Sequence, residues 1–406
     1  MKRGLRSDWV WSFFADFGAK LAPSITVLVY YAALGSAQGS QIVVAYSYTM
    51  VAWIFIDLGL GLYGAREVAR EGADVDRLHV EITVARLSLA IPIAFALAFA
   101  LTYILDITAL EAFGFAIFLV ARSLAAEWRL RGEGRFRALS QVTQFALIGQ
   151  LAGLGAVFLL GLTESFRSLP FALWAVLLAV LSWRAAGVRW ARLYGGPFRA
   201  GFKHLLVSYQ LSLISGVSTL AQQLPIIALS LVYPVASFAG FALLHRLTLA
   251  ATMIFVSLGS AVFPRFVRAA KDSPAQAWRE SLSLMGIIGL TCLPLIVLIM
   301  FVMQVSIIQK TFFPAVGQSL LLVMMAYLLL RSLRISPTRL LLAGNQQRLA
   351  LRASIGAAAL LVVILGVGFM RDTLTVQYAA LAFLSAEIVM LGALTYLARG
   401  YFRGQA

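Results

Sequence analysis

Apolar runs of about twenty residues or more follow one another along the whole chain, and that pattern leaves few folds open. At 1.5 Å per residue, each run is long enough as a helix to cross about 30 Å of hydrocarbon. Twelve such runs lie roughly over 9–33, 40–64, 82–105, 108–130, 139–161, 166–186, 205–232, 235–263, 281–304, 313–334, 348–370 and 374–398. The connections between them are too short to hold a soluble domain, the longest being 187–204 and 264–280. With 61% hydrophobic and 12% charged residues and a mean hydropathy of +0.89, a soluble fold would expose most of its apolar surface. The expected fold is an all-α polytopic membrane protein.

A net charge of +16 and a pI near 10.4 would suit a nucleic-acid binder, but the placement of the cations excludes that partner. Alternate connections and the two tails hold 26 Lys and Arg, whereas the opposite connections hold three, Arg167, Lys310 and Arg371. This is the positive-inside pattern, and it predicts both termini in the cytoplasm. The even number of runs agrees. The basic start "MKRGLRSDWVWSFF" reads as an uncleaved first helix, because Asp16 and Lys20 interrupt what would be a signal core. The single cysteine, Cys292, excludes intrachain disulfides and Cys-based metal sites, and the three histidines form no ligand set. No Walker sequence is present, so no nucleotide or other cofactor is expected. "GLGLYG" at 59–64 satisfies G-x-G-x-x-G, but it ends an apolar run instead of opening a helix after a strand, so it reads as helix packing. The lack of a large outward loop also counts against an enzyme acting on lipid-linked sugars.

Three landmarks recur in order at a spacing of about half the chain. "KLAPSITVLVYY" matches "QQLPIIALSLVY", setting Pro23 opposite Pro225; "AREVAR" from Ala65 matches "PRFVRA" from Pro264; "RSL" at Arg122 matches "RSL" at Arg331. Six runs separate the copies, which predicts two parallel six-helix bundles, 1–190 and 205–406, joined by a cytoplasmic linker at 191–204. Pro23 and Pro225 fall within helices at matching places, so they are candidate kink or gating positions as well as candidates for plain packing kinks.

Apart from cations at run ends that are counted with the connections, Arg129, Arg331 and Arg334 among them, four fall inside the runs: Lys20, Arg86, Arg122 and Arg246. A cation at mid-membrane costs about 2.5–3.5 kcal/mol, so it faces a bundle interior or a wet cavity more often than lipid. Lys20 lies about 16 Å along the first helix with Asp16 one turn away, and Arg246 reaches a similar depth. Arg122 lies nearer one end, where it could line a cavity mouth or snorkel, and Arg86 could snorkel too. Lys20, Arg246, Arg122, Asp16, Gln222 and Gln223 are the candidate cavity residues, with Arg66 and Arg265 at the cytoplasmic gate or against lipid headgroups. For Arg246 the competing reading is an ion pair with Glu387 or Asp57. Arg suits a phosphate because its planar fork donates two parallel bonds.

"IDLGLGLYGAREVAR" resembles the D-[FL]-G…R-E pattern of bacterial polysaccharide flippases, and "AEWRLRGEGRFRALS" resembles their W-x-x-x-G-x-x-[RK]-[FM] stretch at Trp128, Gly132, Arg135 and Phe136. "FAGFALLHRLTLAATMIFVSLGSAVFPRF" and "LLLAGNQQRL" resemble two further blocks of that family. The likeness covers nearly the whole chain, and the wider superfamily includes lipid II flippases and multidrug exporters. It implies an O-antigen or exopolysaccharide flippase of the bacterial inner membrane, moving a polyprenyl-diphosphate-linked glycan by rocking two bundles about a cationic cavity. Membrane lipids and other polysaccharide-assembly proteins are the further partners it implies. Runner-up readings are a cation-coupled small-molecule exporter and a lipid II flippase, the latter usually having fourteen spans. The topology predicts that a cysteine placed at Gln38 is labelled from outside intact cells, and one at Gly195 only after the cells are opened.

Overall fold

The computed structural model of the chain describes residues 2–69, 74–187, 198–305, 313 and 316–403, and all regular structure among them is helical. The α-helices are α1 (Lys2–Leu34), α2 (Ser36–Asp57), α3 (Leu60–Val68), α4 (Val75–Leu105), α5 (Ala109–Leu124), α6 (Glu127–Gly132), α7 (Phe136–Leu159) and α8 (Leu169–Ala186). They continue as α9 (Phe198–Ser230), α10 (Ala239–Asp272), α11 (Pro274–Met303), α12 (Gln318–Leu333), α13 (Ile335–Ala343), α14 (Gln347–Met370) and α15 (Val376–Arg403). Among the described residues ten segments are long and apolar enough to cross a membrane, with α5–α6 and α12–α13 each counting as one. The helices α1 and α9, 33 residues each, bring the long segments to twelve. The chain is a multi-pass membrane protein. The faces of α4 and α11 expose Phe95, Phe99, Tyr103, Leu290, Val297 and Phe301, as lipid-facing helices do.

Local chemistry explains several helix starts. Asp74 accepts from the Arg77 amide to cap α4, Thr108 accepts from the Glu111 amide to cap α5, and Ser273 accepts from the Gln276 amide with Pro274 in the first turn of α11. The helices α1 and α9 run through Pro23 and Pro225 without a break in either. A break does occur after α2, where Leu58 and Gly59 both have left-handed backbones with φ of 38° and 73°. The glycine stretch therefore opens α3 and does not end a single long helix, which corrects the expected placement. Its glycines make room for side chains: a Cβ on Gly61 would lie 2.7 Å from the Arg86 guanidinium, and one on Gly64 2.5 Å from the Trp128 ring. No phosphate cradle is left.

By packing, the chain divides into two compact units, 1–29 with 41–223, and 30–40 with 224–406. The expected halves, 1–190 and 205–406, divide the chain by repeat instead. In the first unit, α3 packs on α6 and α4, and α5 on α4 and α8. Leu60, Leu78, Ile82, Ala85, Trp128 and Leu205 form a core there. In the second, α10 packs on α11, α12 and α13, and α15 on α12 and α14. The repeat is explicit in the element order. The series α5, break, α6, α7 returns as α12, break, α13, α14, starting at Ala109 and Gln318. Left-handed Gly134 and Gly161 return as left-handed Asn345 and Asp372, each 211 positions on.

The resembling motifs converge within the first unit, where Trp128 of α6 packs against Gly64 of α3 and Gly132 of α6 approaches the Ala65 carbonyl. A methyl group at Gly64 would overlap Trp128 and Ile82. Gly64→Ala is expected to cost about 1–3 kcal/mol, read as a lowered unfolding temperature of the purified protein in detergent.

Candidate functional site

Each unit buries arginines among aromatic rings, and the arrangement repeats. In the first, the Arg122 guanidinium carbon of α5 lies 5.9 Å from the centroid of Phe118, one turn earlier, and 5.1 Å from that of Trp174 on α8. Phe118 and Trp174 are stacked at 6.0 Å. In the second, Arg331 of α12 lies 5.7 Å from Tyr327, one turn earlier, and Tyr327 stacks on Phe383 of α15 at 4.4 Å. Phe118, Arg122 and Trp174 are each 209 residues before Tyr327, Arg331 and Phe383. A guanidinium over ring faces gains about 0.5–2 kcal/mol per ring, which offsets part of its desolvation.

The ion pairs, in contrast, differ between the units. Arg86 of α4 bonds Asp57 at the end of α2, so it is paired and does not snorkel. Arg122 has a third ring, Trp53, at 4.9 Å, and its nearest carboxylate is Glu127 at 3.7 Å; its buried Nε makes no hydrogen bond. Arg129 of α6 bonds Asp76 at 2.8 Å and Glu133 at 2.7 Å. In the second unit, Arg334 bonds Glu387 at 2.7 Å and the Met390 sulfur. Arg331 donates to the Tyr327 hydroxyl at 2.8 Å. Arg246 is 9% exposed on α10 beside His245, whose Nε2 makes no hydrogen bond. The charges of both Arg246 and Arg331 act on His245. The corresponding pair in the first unit, 199 positions earlier, is Tyr46 and Ser47, so the cation at 246 belongs to the second half alone.

Several expectations move accordingly. Glu387 and Asp57, the carboxylates considered for Arg246, are engaged by Arg334 and Arg86. Of the arginines counted with the connections, Arg129 and Arg331 are buried and Arg334 is partly buried. Arg331 had a sequence signal, since it is the repeat mate of Arg122, and Arg86 had one as a cation inside an apolar run; Arg334 had none beyond being a charge at the end of such a run. Asp16 and Lys20 lie on α1, but their side chains fall outside the described residues. Gln222 bonds Ser218 of its own helix, and Gln223 is buried with its Oε1 unbonded. Arg66 is exposed on α3, and exposed Arg265 reaches Glu280 of α11 at 3.0 Å.

No family profile matches the sequence, and no characterised protein matches it either. Solved structures do. An inward-facing multidrug resistance transporter of the MATE family, in the MOP superfamily, matches with a TM-score of 0.72 at 15% identity, over 96% of this chain and 95% of that one. An outward-facing transporter of the same description matches at 0.66 and 14%, over 98% and 96%. The eukaryotic MATE transporter AtDTX14 matches at 0.67 and 13%, over 98% and 99%. The chain has the MATE fold. The match to MATE structures runs through both halves, and at this identity it speaks to the fold alone.

Breaking a buried pair strands its partner. Arg334→Gln leaves Glu387 uncompensated and is expected to cost about 3–5 kcal/mol, seen as a fall in membrane abundance and unfolding temperature. The double variant Arg334→Gln with Glu387→Gln should recover most of both.

Proposed function

We propose that this protein flips a polyprenyl-diphosphate-linked oligosaccharide across the bacterial cytoplasmic membrane for cell-surface polysaccharide synthesis. The observation that carries the reading is the surplus of buried cations over acids. Among the described residues of the second unit, the buried arginines and carboxylates are Arg246, Arg331 and Glu387, and Glu387 is paired with the partly buried Arg334. In the first, Arg122 is held mainly by rings. A diphosphate is the group that such forks bind best. In the second unit the headgroup would engage Arg246 and Arg331, while the polyprenyl tail stays in lipid. Access would alternate between the two sides of the membrane.

A second reading, a cation-coupled small-molecule exporter, is favoured by the likeness in fold to multidrug resistance transporters. Such an exporter uses acids that are open to a cation. Among the described residues Asp57, Glu81, Glu111 and Glu387 are each bonded to a cationic or titratable partner. The flippase reading fits this charge pattern better.

The test uses proteoliposomes carrying a fluorescent polyprenyl-diphosphate glycan, with quenching from outside as the readout. Arg246→Gln should insert at normal abundance and slow flipping by at least about tenfold, the worth of one charge-assisted hydrogen bond. Arg246→Lys should retain part of the rate, since a point charge still attracts phosphate. Full flipping by Arg246→Gln would remove Arg246 from the binding role, and transport of organic cations without glycan flipping would favour the exporter.

A further inference from the structure

The carboxylates within the spanning helices differ in the kind of partner they hold. Asp57, Glu111 and Glu387 are bonded to Arg86, Arg167 and Arg334. An arginine keeps its proton at any physiological pH, so the basic member of each of those pairs does not change its charge. Glu81 of α4 is different. Its Oε1 takes the Arg77 Nε at 2.9 Å, and its Oε2 lies 2.7 Å from Nε2 of His204 on α9. The other ring nitrogen of His204, Nδ1, lies 3.1 Å from the Tyr63 hydroxyl of α3, and the two rings are 5.4 Å apart. Histidine is the side chain whose ordinary charge change falls between pH 5 and 8. Of the three histidines, His79 and His245 are fully buried, whereas the His204 side chain is 19% exposed, so a proton can reach it.

The same stretch of α9 is fastened to the first unit at several further points. A Cβ on Gly201 would lie 2.7 Å from the Glu81 carbonyl, so α9 approaches the α4 backbone as closely as a glycine permits. Leu205 enters the core made by Leu60, Leu78 and Ile82. Ser208 donates to the Leu58 carbonyl at 2.9 Å, satisfying the left-handed break before α3. Farther along the same helix, beside Pro225, the chain passes from the first compact unit to the second. The fastening therefore sits on a helix that belongs to both.

We propose that His204, held between the Glu81 carboxylate and the Tyr63 hydroxyl, is a proton-binding site whose loading tightens the clasp of α9 on α3 and α4. In the neutral form Nε2–H donates to Glu81, and Nδ1 accepts from the tyrosine O–H. Binding one proton at Nδ1 turns that nitrogen into a donor to the tyrosine oxygen and makes the Glu81 contact a full ion pair. Among the described residues, the groups that face His204 are Glu81 from α4, with Arg77 on its far oxygen, and Tyr63 from α3. Asp57 and Arg86, farther along, are bonded to one another. Arg77 opposes the added charge and Glu81 favours it. The carboxylate is the group in direct contact, so loading strengthens the clasp as pH falls. This inference concerns the proton and holds whichever substrate the protein carries.

The test needs no transport. Backbone hydrogen exchange of residues 201–208 is measured in nanodiscs at pH 8 and pH 6 and corrected for the intrinsic rate. The wild type should gain about threefold to fivefold in protection at pH 6, as expected for one partly exposed ion pair. His204→Gln retains both hydrogen bonds, with the amide donating to Glu81 and its oxygen accepting from Tyr63, but carries no proton. It should match the wild type at pH 8 and show no gain at pH 6. If that variant fails to fold, side-chain nitrogen resonances of 15N-histidine-labelled wild type read the site directly. The His204 ring-nitrogen signals should change between pH 8 and pH 6. An unchanged gain in His204→Gln, a wild type with no gain, or His204 ring-nitrogen signals that are the same at both pH values would each overturn the proposal.

Discussion

Hydrocarbon solvates neither charge nor backbone, so every ionised group that enters it must find its partner within the protein. The architecture follows from this constraint. Backbone groups are closed within helices, and where a helix breaks, side chains serve the ends: Ser182 takes the Ala126 amide after α5, Trp183 donates to the Leu124 carbonyl, and Ser208 serves Leu58. Charges meet partners carried by other helices, so each pair also fixes packing. Arg86 ties α4 to the end of α2, and Arg334 ties the start of α13 to α15. On α5, Glu111 holds Arg167 at 2.8 Å, and Arg167 in turn donates to Gln41 of α2 at 2.9 Å. In water such pairs contribute little, but in lipid their separation would leave a bare charge.

The repeat shows which of these contacts are architecture and which are specialisation. The Phe118–Arg122–Trp174 group and its copy at Tyr327, Arg331 and Phe383 occur in both halves, so they belong to the fold that the halves share. The cation at Arg246 and the pairs at Arg86 and Arg334 occur once. A lone charge carries the same cost as a repeated one but has no role in maintaining the symmetry. For that reason Arg246 is a better candidate for binding than Arg331, although the two lie around the same histidine.

The twelve long segments and the internal repeat were legible in the sequence because apolar length and a repeat are one-dimensional signals. The breaks were not. Nothing in "RSLAAEW" marks a helix end, since alanine favours helix and no glycine or proline is present; Ala125 turns extended because Ser182 and Trp183, on a distant helix, receive its neighbours. The glycines at 59–64 were visible, but their role depended on Arg86 and Trp128 filling the spaces. Deep charges were legible as charges, whereas their pairing required three dimensions. The reading of Arg129, Arg331 and Arg334 as loop cations failed because each stands within about a turn of a helix end, where sequence cannot separate a snorkelling side chain from a buried one.

What separates a static pair from a working one is whether either member can change its charge. Arginine cannot do so, and a carboxylate bonded to arginine is held ionised, which makes such a pair a fastening. Through His204, Glu81 is the exception among the described carboxylates of the spanning helices, and it sits where α9 lies closest to α4. Along α9 the contacts change from a glycine-close, polar-clasped stretch at Gly201–Ser208 to the segment around Pro225, where packing passes to the other unit. A helix fastened at one end by a titratable contact, and lacking one backbone donor near the point where its neighbours change, can be released by loss of a proton at less cost than a helix held by arginine pairs or by a continuous apolar seam.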